Sequence, residues 1–424
     1  MHGFWIILLI IITSLTLIDF YFSISLSRFL KKRNYKKFVR RLPIYISIFM
    51  ILITLLSFML RSRDEAQTLT NKIIMYVVYL WYMPKLGLFP ILLIKDFIKL
   101  ITFIFKKLFT RKKSDEFPPL SKGVRGISED SQDKPKSLSR RKLAGNIAWS
   151  MAGIPFLIVA DNMLKNTYDF RIYPVEIPIA KLAPGLNGLK IVQISDIHAG
   201  SFLTSKTFIN ASILANAVSP DLIFVTGDFV NNHPDEMVLA IEGLKRLNAH
   251  YGVYACLGNH DHYMTDANHE KLKNIIRRTG IKLLINEKTK LSINGCTLQL
   301  AATDNTSWGD KYADFDKTLS GLNDVDPVIL LCHDPNNWDR EVNGKRNVDL
   351  TLAGHTHGGQ FSFKMFGMEQ SPVRYVYKYY AGLYKNKDQY LYVNRGCGTA
   401  GPPIRIGMKP EITLITLVRP ENVV

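Results

Sequence analysis

Two short pieces of this 424-residue chain carry the residue types of a metal centre: Gly258-Asn259-His260-Asp261-His262 and Gly354-His355-Thr356-His357-Gly358-Gly359. His355 and His357 stand two apart after the mostly apolar run 348–353, which reads as a buried strand opening into a glycine turn. Side chains alternate along a strand with period two, so this spacing sends both imidazoles the same way. Asn259 and His260 close a similar run, 253–257. Upstream, Asp196-Ile197-His198 follows 189–195 and Gly227-Asp228 follows 222–226, while His333 closes 328–332. A lone histidine, or an aspartate in a Gly-Asp turn, is ordinarily structural. Five strand-like runs ending this way are another matter, because ligands in α/β sheets bind outside the carboxyl ends of the strands. Imidazole, carboxylate and amide oxygen together suit Mn, Fe or Zn.

The elements that must position these residues begin near residue 168. The run 170–177 opens as a strand, at an edge because Pro174 cannot donate a ladder bond. Strands at 189–195, 222–226 and 253–257 alternate with helical patterns at 206–218, 235–247 and 269–278. Shorter runs at 282–285, 291–293 and 297–302, punctuated by Asn and Gly, read as antiparallel hairpin strands. Buried strands return at 328–332 and 349–353, and 389–394 and 411–418 finish the sheet. Strand–helix alternation followed by hairpins predicts an α/β domain with mixed sheets over 165–424.

In order, Asp196-x-His198, Gly227-Asp228, Gly258-Asn259-His260-Asp261, His333 and Gly354-His355-x-His357 resemble the calcineurin-like metallophosphoesterases, over about 185–420. The resemblance implies a four-layer α/β/β/α sandwich and two divalent ions. One ion would take Asp196, His198 and His357, the other Asn259, His333 and His355, with Asp228 bridging. Two ions about 3.5–4 Å apart serve in-line phosphoryl displacement and bring the pKa of bound water from about 15.7 towards about 7. His260, next to ligand Asn259, projects differently on an extended backbone; it is the candidate general acid, with Asp261 orienting its ring. Further pieces (Gly354–Gln360, Asn394-Arg395-Gly396, Arg405, Gly407, Pro410-Glu411) resemble a branch of membrane-tethered and twin-arginine-exported phosphoesterases. Some members of that branch cleave the pyrophosphate of UDP-2,3-diacylglucosamine, so a membrane lipid or nucleotide-sugar lipid is the implied substrate. Arg395 and Arg405 are candidates for binding its phosphate, with structural ion pairs as the alternative. The aromatic stretch 375–384, with Arg374, Lys378 and Lys385, lines the pocket, touches headgroups or simply packs. His262 reads as a loop residue, and His233, His250 and His269 as surface. The competing class is a non-catalytic, metal-stabilised scaffold, against which the intact His260-Asp261 pair argues.

Net charge is +18, yet its distribution excludes nucleic acid as the partner. Residues 1–164 hold 26 Lys+Arg against 10 Asp+Glu, and the remaining residues 28 against 26. The basic excess therefore lies between apolar segments: 4–26, interrupted by Asp19, then 42–60, then 73–94, which contains Pro84, Lys85 and Pro90. Each approaches the roughly 20 residues that span a bilayer. A cleaved signal peptide is not expected, since no basic n-region precedes the first segment. The run 97–109 is a basic surface helix or continues the third span, and 110–142 reads as a basic flexible linker. A fourth span is expected over 143–160, within a helix ending near 164. Ser139-Arg140-Arg141 opens like a twin-arginine signal, but Leu143-Ala144-Gly145 departs from its continuation; charge flanking a membrane helix is the reading adopted. The loop 25–41 carries eight Lys/Arg and 106–142 twelve, against three in 61–72. With four spans, both basic loops face the cytoplasm and the C-terminal domain emerges outside the cytoplasmic membrane. If 143–160 does not span, or 73–94 is a re-entrant hairpin, the side reverses. Cys256, Cys296, Cys332 and Cys397 show no C-x-x-C spacing, so no zinc knuckle or redox motif is indicated.

Overall fold

The computed structural model describes residues 2–59, 68–109, 147, 149–307, 311–365 and 368–420. Three long helices open the chain: α1 (His2–Lys32), α2 (Lys37–Met59) and α3 (Leu69–Phe109). Within α2, Lys37–Ser57 is long and apolar enough to cross a membrane, with a mean hydropathy of 1.8. α3 runs unbroken for 41 residues through Pro84 and Pro90. The segment 73–94 is thus one helix and not a re-entrant hairpin, and 97–109 continues it. The expected linker 110–142 lies outside the described residues, as do 143–146 and 148 of the expected fourth span; the described helix there is α4 (Ile154–Leu164).

The chain divides into two compact units, of which one comprises Met1–Ile53 and Val78–Val159. Here Asp19 and Lys85, the charges that interrupt two apolar segments, pair at 2.6 Å, both fully buried. Trp81 Nε1 adds a hydrogen bond to Asp19 at 3.2 Å. A charge in an apolar helix is tolerated when it finds such a partner, and removing one member would strand the other.

The other unit joins Thr54–Val77 to Ala160–Val424. Its first sheet holds β1 (Arg171–Pro178), β2 (Lys190–Ile194), β3 (Leu222–Thr226), β4 (Val253–Cys256), β5 (Lys282–Leu283) and β14 (Glu411–Val418), in the order β1-β14-β2-β3-β4-β5. Its second holds β6 (Glu287–Ile293), β7 (Cys296–Ala302), β8 (Val328–Leu331), β9 (Leu350–Ala353), β12 (Gly382–Asn386) and β13 (Gln389–Val393), in the order β12-β13-β9-β8-β7-β6. A small hairpin, β10 (Phe363–Met365) with β11 (Met368–Gln370), stands apart. β1 occupies the edge that Pro174 requires.

Alternation within the strands stacks the layers. Leu222 and Phe224 of β3, with Leu300, Ile329 and Leu352 opposite, fill the space between the sheets. Ile223 and Val225 turn outward onto α5 (Lys206–Ala217) and α7 (Asp266–Arg278) through Phe208, Ala215, Leu272 and Ile276. Val328 and Leu330 turn the other way, toward Phe315 of α8 (Phe315–Leu319) and Trp338. Each fully buried aliphatic or aromatic side chain contributes about 1.5–3 kcal/mol. The result is the α/β/β/α sandwich.

Three expectations change. Residues 282–285 supply a strand parallel to β4 and no hairpin. The helix expected at 235–247 is a 3-10 turn, Pro234–Leu239, followed by the single turn α6 (Ile241–Leu244). Glu236 folds inward there to accept backbone N–H bonds from Asn231 and Asn232, which favours the tighter turn. Finally, 389–394 and 411–418 fall in different sheets, and the stretch 375–384 runs into β12, paired antiparallel with β13.

Candidate metal centre

The ligand-type residues all follow the carboxyl ends of parallel strands. Asp196 and His198 follow β2, Asp228 follows β3 and Asn259 follows β4 in one sheet; His333 follows β8, and His355 and His357 follow β9, in the other. Five of them leave the strand in left-handed backbone: Asp196 (φ 51), His198 (φ 42), Asp228 (φ 55), His355 (φ 71) and His357 (φ 52). Such conformations cost of order 1–3 kcal/mol each and cluster where surrounding structure imposes them for function. Glycines make the crowding feasible. A Cβ on Gly258 would lie 2.2 Å from Asp228 Oδ1, and one on Gly354 would lie 2.2 Å from Asp196 Oδ2. Cross-sheet bonds fix the two strand ends together: His355 N donates to Asp196 at 3.0 Å, and Gln193 Nε2 donates to Ala353 O at 2.9 Å.

Among the described residues the polar atoms converge in three overlapping trios. Asp196, His198 and His357 form one group, His198, Asp228 and His260 a second, and Asp228, His333 and His355 a third, with ligating atoms within 4.8 Å of one another in each. His357 Nε2 lies 3.4 Å from Asp196 Oδ1, and His198 Nε2 lies 3.4 Å from Asp228 Oδ2. In the third group His333 Nε2 is 3.2 Å from Asp228 Oδ2, and His355 Nδ1 is 2.8 Å from Asn259 Oδ1. Asp228 therefore lies between His198 of the first group and His333 of the third.

This donor set fits cations. His198 Nε2 and His357 Nε2 face each other at 3.1 Å, each a lone-pair donor or an N–H aimed at the other. Buried His333 Nε2 makes no well-aligned hydrogen bond. Burial pushes His198 down to about 4 and His355 down to about 3, the neutral forms that ligate. His333 moves the other way, up to about 10: burial opposes the shift, but the Asp228 carboxylate outweighs it.

Comparison with known proteins agrees with this geometry. Residues 189–359 match the calcineurin-like phosphoesterase family, and residues 3–167 match a family described as "Probable Calcineurin-like phosphoesterase, transmembrane domain". An uncharacterized metallophosphoesterase of Bacillus subtilis, YkuE, is 36% identical over 55% of this chain and 80% of its own length. The chain belongs to the calcineurin-like metallophosphoesterases. It is also 27% identical, over 90% of its length and 93% of the relative's, to the uncharacterized metallophosphoesterase Cj0846 of Campylobacter jejuni. A transmembrane protein with metallophosphoesterase domain from Danio rerio is 30% identical over 58% of this chain, which spans 57% of that relative. As a metallophosphoesterase with a matched membrane region, this is a membrane-associated, metal-dependent hydrolase.

Other expected residues stand differently in this phosphoesterase. His260 Nδ1 donates to Asn231 O at 2.7 Å, and its ring lies 4.7 Å from that of His198. Asp261 does not orient that ring. Its carboxylate is fully buried and accepts N–H bonds from Asp228 (2.9 Å), Phe229 (2.8 Å) and Gly258 (2.9 Å), which tie the loop after β3 to the loop after β4. Arg395 and Arg405 both make structural contacts. Arg395 pairs with buried Glu411 at 2.7 Å, beside the Tyr173 ring. Arg405, only 1% exposed, donates to the carbonyls of Arg395, Gly396 and Gly398. It holds the turn behind His357, whose Nδ1 is 3.4 Å from its Nη2. His262 is pinned by Asp304 at 2.8 Å and stacked on Tyr312. His250 is exposed as expected; His233 is buried, where it caps the turn at Pro234, and His269 is half-buried on Asp261 O. All four cysteines are free thiols.

Two contacts escaped sequence reasoning. One is the Asn231 carbonyl, since a backbone acceptor has no sequence signature. The other is Tyr377, within the aromatic stretch but not distinguished from its neighbours, whose hydroxyl lies 3.0 Å from His355 Nε2. A neutral His355 that donates from Nε2 to this oxygen keeps Nδ1 as the ligating atom beside Asn259. Partners of this kind typically govern metal affinity about 10–100-fold. Tyr377→Phe should therefore weaken binding of one ion by about tenfold while leaving the other unchanged, read by Mn²⁺ titration; an unaltered isotherm would remove Tyr377 from the centre.

Proposed function

We propose that this chain is a multi-pass membrane phosphoesterase whose catalytic domain stands outside the cytoplasmic membrane. There it hydrolyses a phosphodiester or pyrophosphate bond in a lipid-linked or nucleotide-sugar substrate, of which UDP-2,3-diacylglucosamine is one example. The observation that carries the reading is the set of ligand trios meeting at Asp228, whose Oδ2 lies 3.4 Å from His198 Nε2 and 3.2 Å from His333 Nε2, with the His260 ring alongside. Asp196, His198 and His357 would hold one ion, Asn259, His333 and His355 the other, and Asp228 both. When bound, the ions supply an activated water and neutralise phosphoryl charge. The protein's own part is geometric and protonic. Asp261 ties Asp228 and Gly258, the residue before Asn259, together through backbone N–H bonds. His260, with Nδ1–H committed to Asn231 O, presents Nε2 to hand a proton to the leaving oxygen.

Full-length protein with Mn²⁺ should hydrolyse bis(p-nitrophenyl) phosphate, and then either UDP-2,3-diacylglucosamine or a lipid-linked phosphodiester. No turnover of any of these with Mn, Fe or Zn would favour a metal-stabilised scaffold.

Charge supports the outer placement: the basic segments 25–41 and 106–142 carry eight and twelve Lys/Arg, against three in 61–72. Such Lys/Arg-rich loops stay in the cytoplasm. UDP-2,3-diacylglucosamine, the substrate of some members of the resembled branch, is made in the cytoplasm, so an outer domain favours an external lipid-linked phosphate. A reporter active only outside should work when fused after Asn166 and be silent when fused within 110–135. Silence at both sites would put the domain in the cytoplasm and make the nucleotide lipid the better substrate; the inverse pattern would also overturn the placement.

A further inference from the structure

Lys72 is the one charged residue in the opening turns of α3, and it is 8% exposed. Its Nζ donates to Phe202 O at 3.1 Å. Tyr76 lies one turn further along the same face, as residues four apart do on a helix. Its hydroxyl meets that of Tyr168 at 2.7 Å, and Tyr168 in turn donates to Ser201 O at 2.8 Å. Both anchors therefore land on one short segment, Ala199–Phe202, which directly follows the ligand-type residue His198. That segment is a tight turn, with Ser201 N bonded to His198 O at 2.7 Å and Phe202 N to Ala199 O at 3.1 Å.

A second line leads from the same place to His260. Lys72 is an electrostatic partner of Glu236, a carboxylate 5% exposed. Glu236 accepts the N–H of Asn231 at 2.6 Å and that of Asn232 at 3.3 Å. The carbonyl of Asn231 is the group that fixes the His260 ring. The turn and the carboxylate are in contact as well: a Cβ on Gly200 would lie 2.4 Å from Glu236 Oε2. The turn that Lys72 anchors thus packs against the buried carboxylate on which the His260 loop is hung, and a hydroxyl at position 76 braces the same turn through Tyr168.

We propose that Lys72 and Tyr76 are positioning residues through which the opening turns of α3 hold the His198 turn and the Asn231–Glu236 loop in register, so that the helix is a working part of the hydrolase site. The proposal rests on the site reading above for its effect on turnover, and on packing alone for its effect on loop order. Lys72→Met removes the bond to Phe202 O and frees the turn packed against Glu236, which loosens Asn231 and with it the His260 ring. Tyr76→Phe removes the hydroxyl bridge to Tyr168 and frees Ser201. Neither change touches a ligand or a substrate atom.

The test uses the full chain in detergent micelles, with hydrogen exchange and steady-state kinetics on the wild type, Lys72→Met, Lys72→Arg, Tyr76→Phe and the Met/Phe double variant. Local opening is read as faster amide exchange in a defined segment. In Lys72→Met and the double variant, peptides covering 198–204 and 229–237 should exchange at least about tenfold faster, while peptides within β8 and β9 stay protected. For hydrolysis of bis(p-nitrophenyl) phosphate, kcat should fall by about 10- to 10²-fold, the scale of a small misplacement of a catalytic group. KM and metal content should not change, and Lys72→Arg should restore most of the rate. Unchanged exchange in both segments overturns the proposal whether or not the wild type turns over that compound. Wild-type kcat in the double variant also overturns it, while leaving the phosphoesterase reading intact. A uniform loss of protection across both sheets would show a general stability role and count against it equally.

Discussion

Asp228→Asn should leave the protein folded with less than one tightly bound ion per chain, and with turnover of bis(p-nitrophenyl) phosphate reduced by about 10³-fold or more. Asp228 Oδ2 lies 3.4 Å from His198 Nε2 and 3.2 Å from His333 Nε2, so the ligand trios meet on one carboxylate. An amide keeps the shape but gives up the charge and one of the two anionic oxygens. Electrostatic stabilisation by bound ions amounts to several kcal/mol, and each 1.36 kcal/mol is tenfold in rate; losing about 4 kcal/mol gives the stated factor. Oδ1 also accepts the backbone N–H of His260 at 2.8 Å, so the loop carrying the proposed acid loosens as well. Elemental analysis and turnover on one preparation would check both parts. Two ions per chain with wild-type rate would show that Asp228 does not bridge.

His260→Ala is expected to separate rate from metal. The ring lies within reach of His198 and Asp228 but outside the ligand set proposed for either ion, and the backbone N–H to Asp228 survives the substitution. Two ions should therefore remain, while kcat falls by about 10²–10⁴-fold for a substrate with an alkoxide or sugar leaving group, the usual worth of general acid–base catalysis. p-Nitrophenolate departs readily without a proton, so the loss on the chromogenic ester should be smaller. Comparing leaving groups of graded basicity in the variant and the wild type tests this directly. Parallel losses for good and poor leaving groups would assign His260 to positioning and not to proton transfer.

Most of the centre was legible in the sequence because each ligand-type residue closes an apolar run. A strand's carboxyl end is where chain direction and sheet geometry deliver side chains to a common edge. The seven ligand-type residues converge for that reason. Legibility failed where partners are set by tertiary packing. Asp261 beside His260 invites the reading of a carboxylate orienting an imidazole. The loop instead turns Asp261 inward, where three close backbone N–H groups satisfy it, and the imidazole finds a carbonyl from another strand end. Arg395 and Arg405 follow the same logic: a cation near a phosphate-directed motif is as readily consumed by a buried glutamate or by carbonyls of its own turn. In the fold, the strand pattern was readable, but which sheet each late strand joins was not. Periodicity reports burial on both faces and says nothing about neighbours, so β14 could insert between β1 and β2 unannounced. The inward turn of Glu236, which breaks the helix expected over 235–247, is equally invisible until Asn231 and Asn232 are placed beside it.

The shared carboxylate is the centre of this account, and electron paramagnetic resonance of the Mn²⁺-loaded full-length protein tests it most directly. Two Mn²⁺ ions bridged by Asp228 at about 3.5–4 Å should give a spin-coupled multiline spectrum at a stoichiometry of two per chain. That coupling should vanish in Asp228→Asn. A single Mn²⁺ per chain, or two ions giving only the spectrum of isolated Mn²⁺, would contradict it.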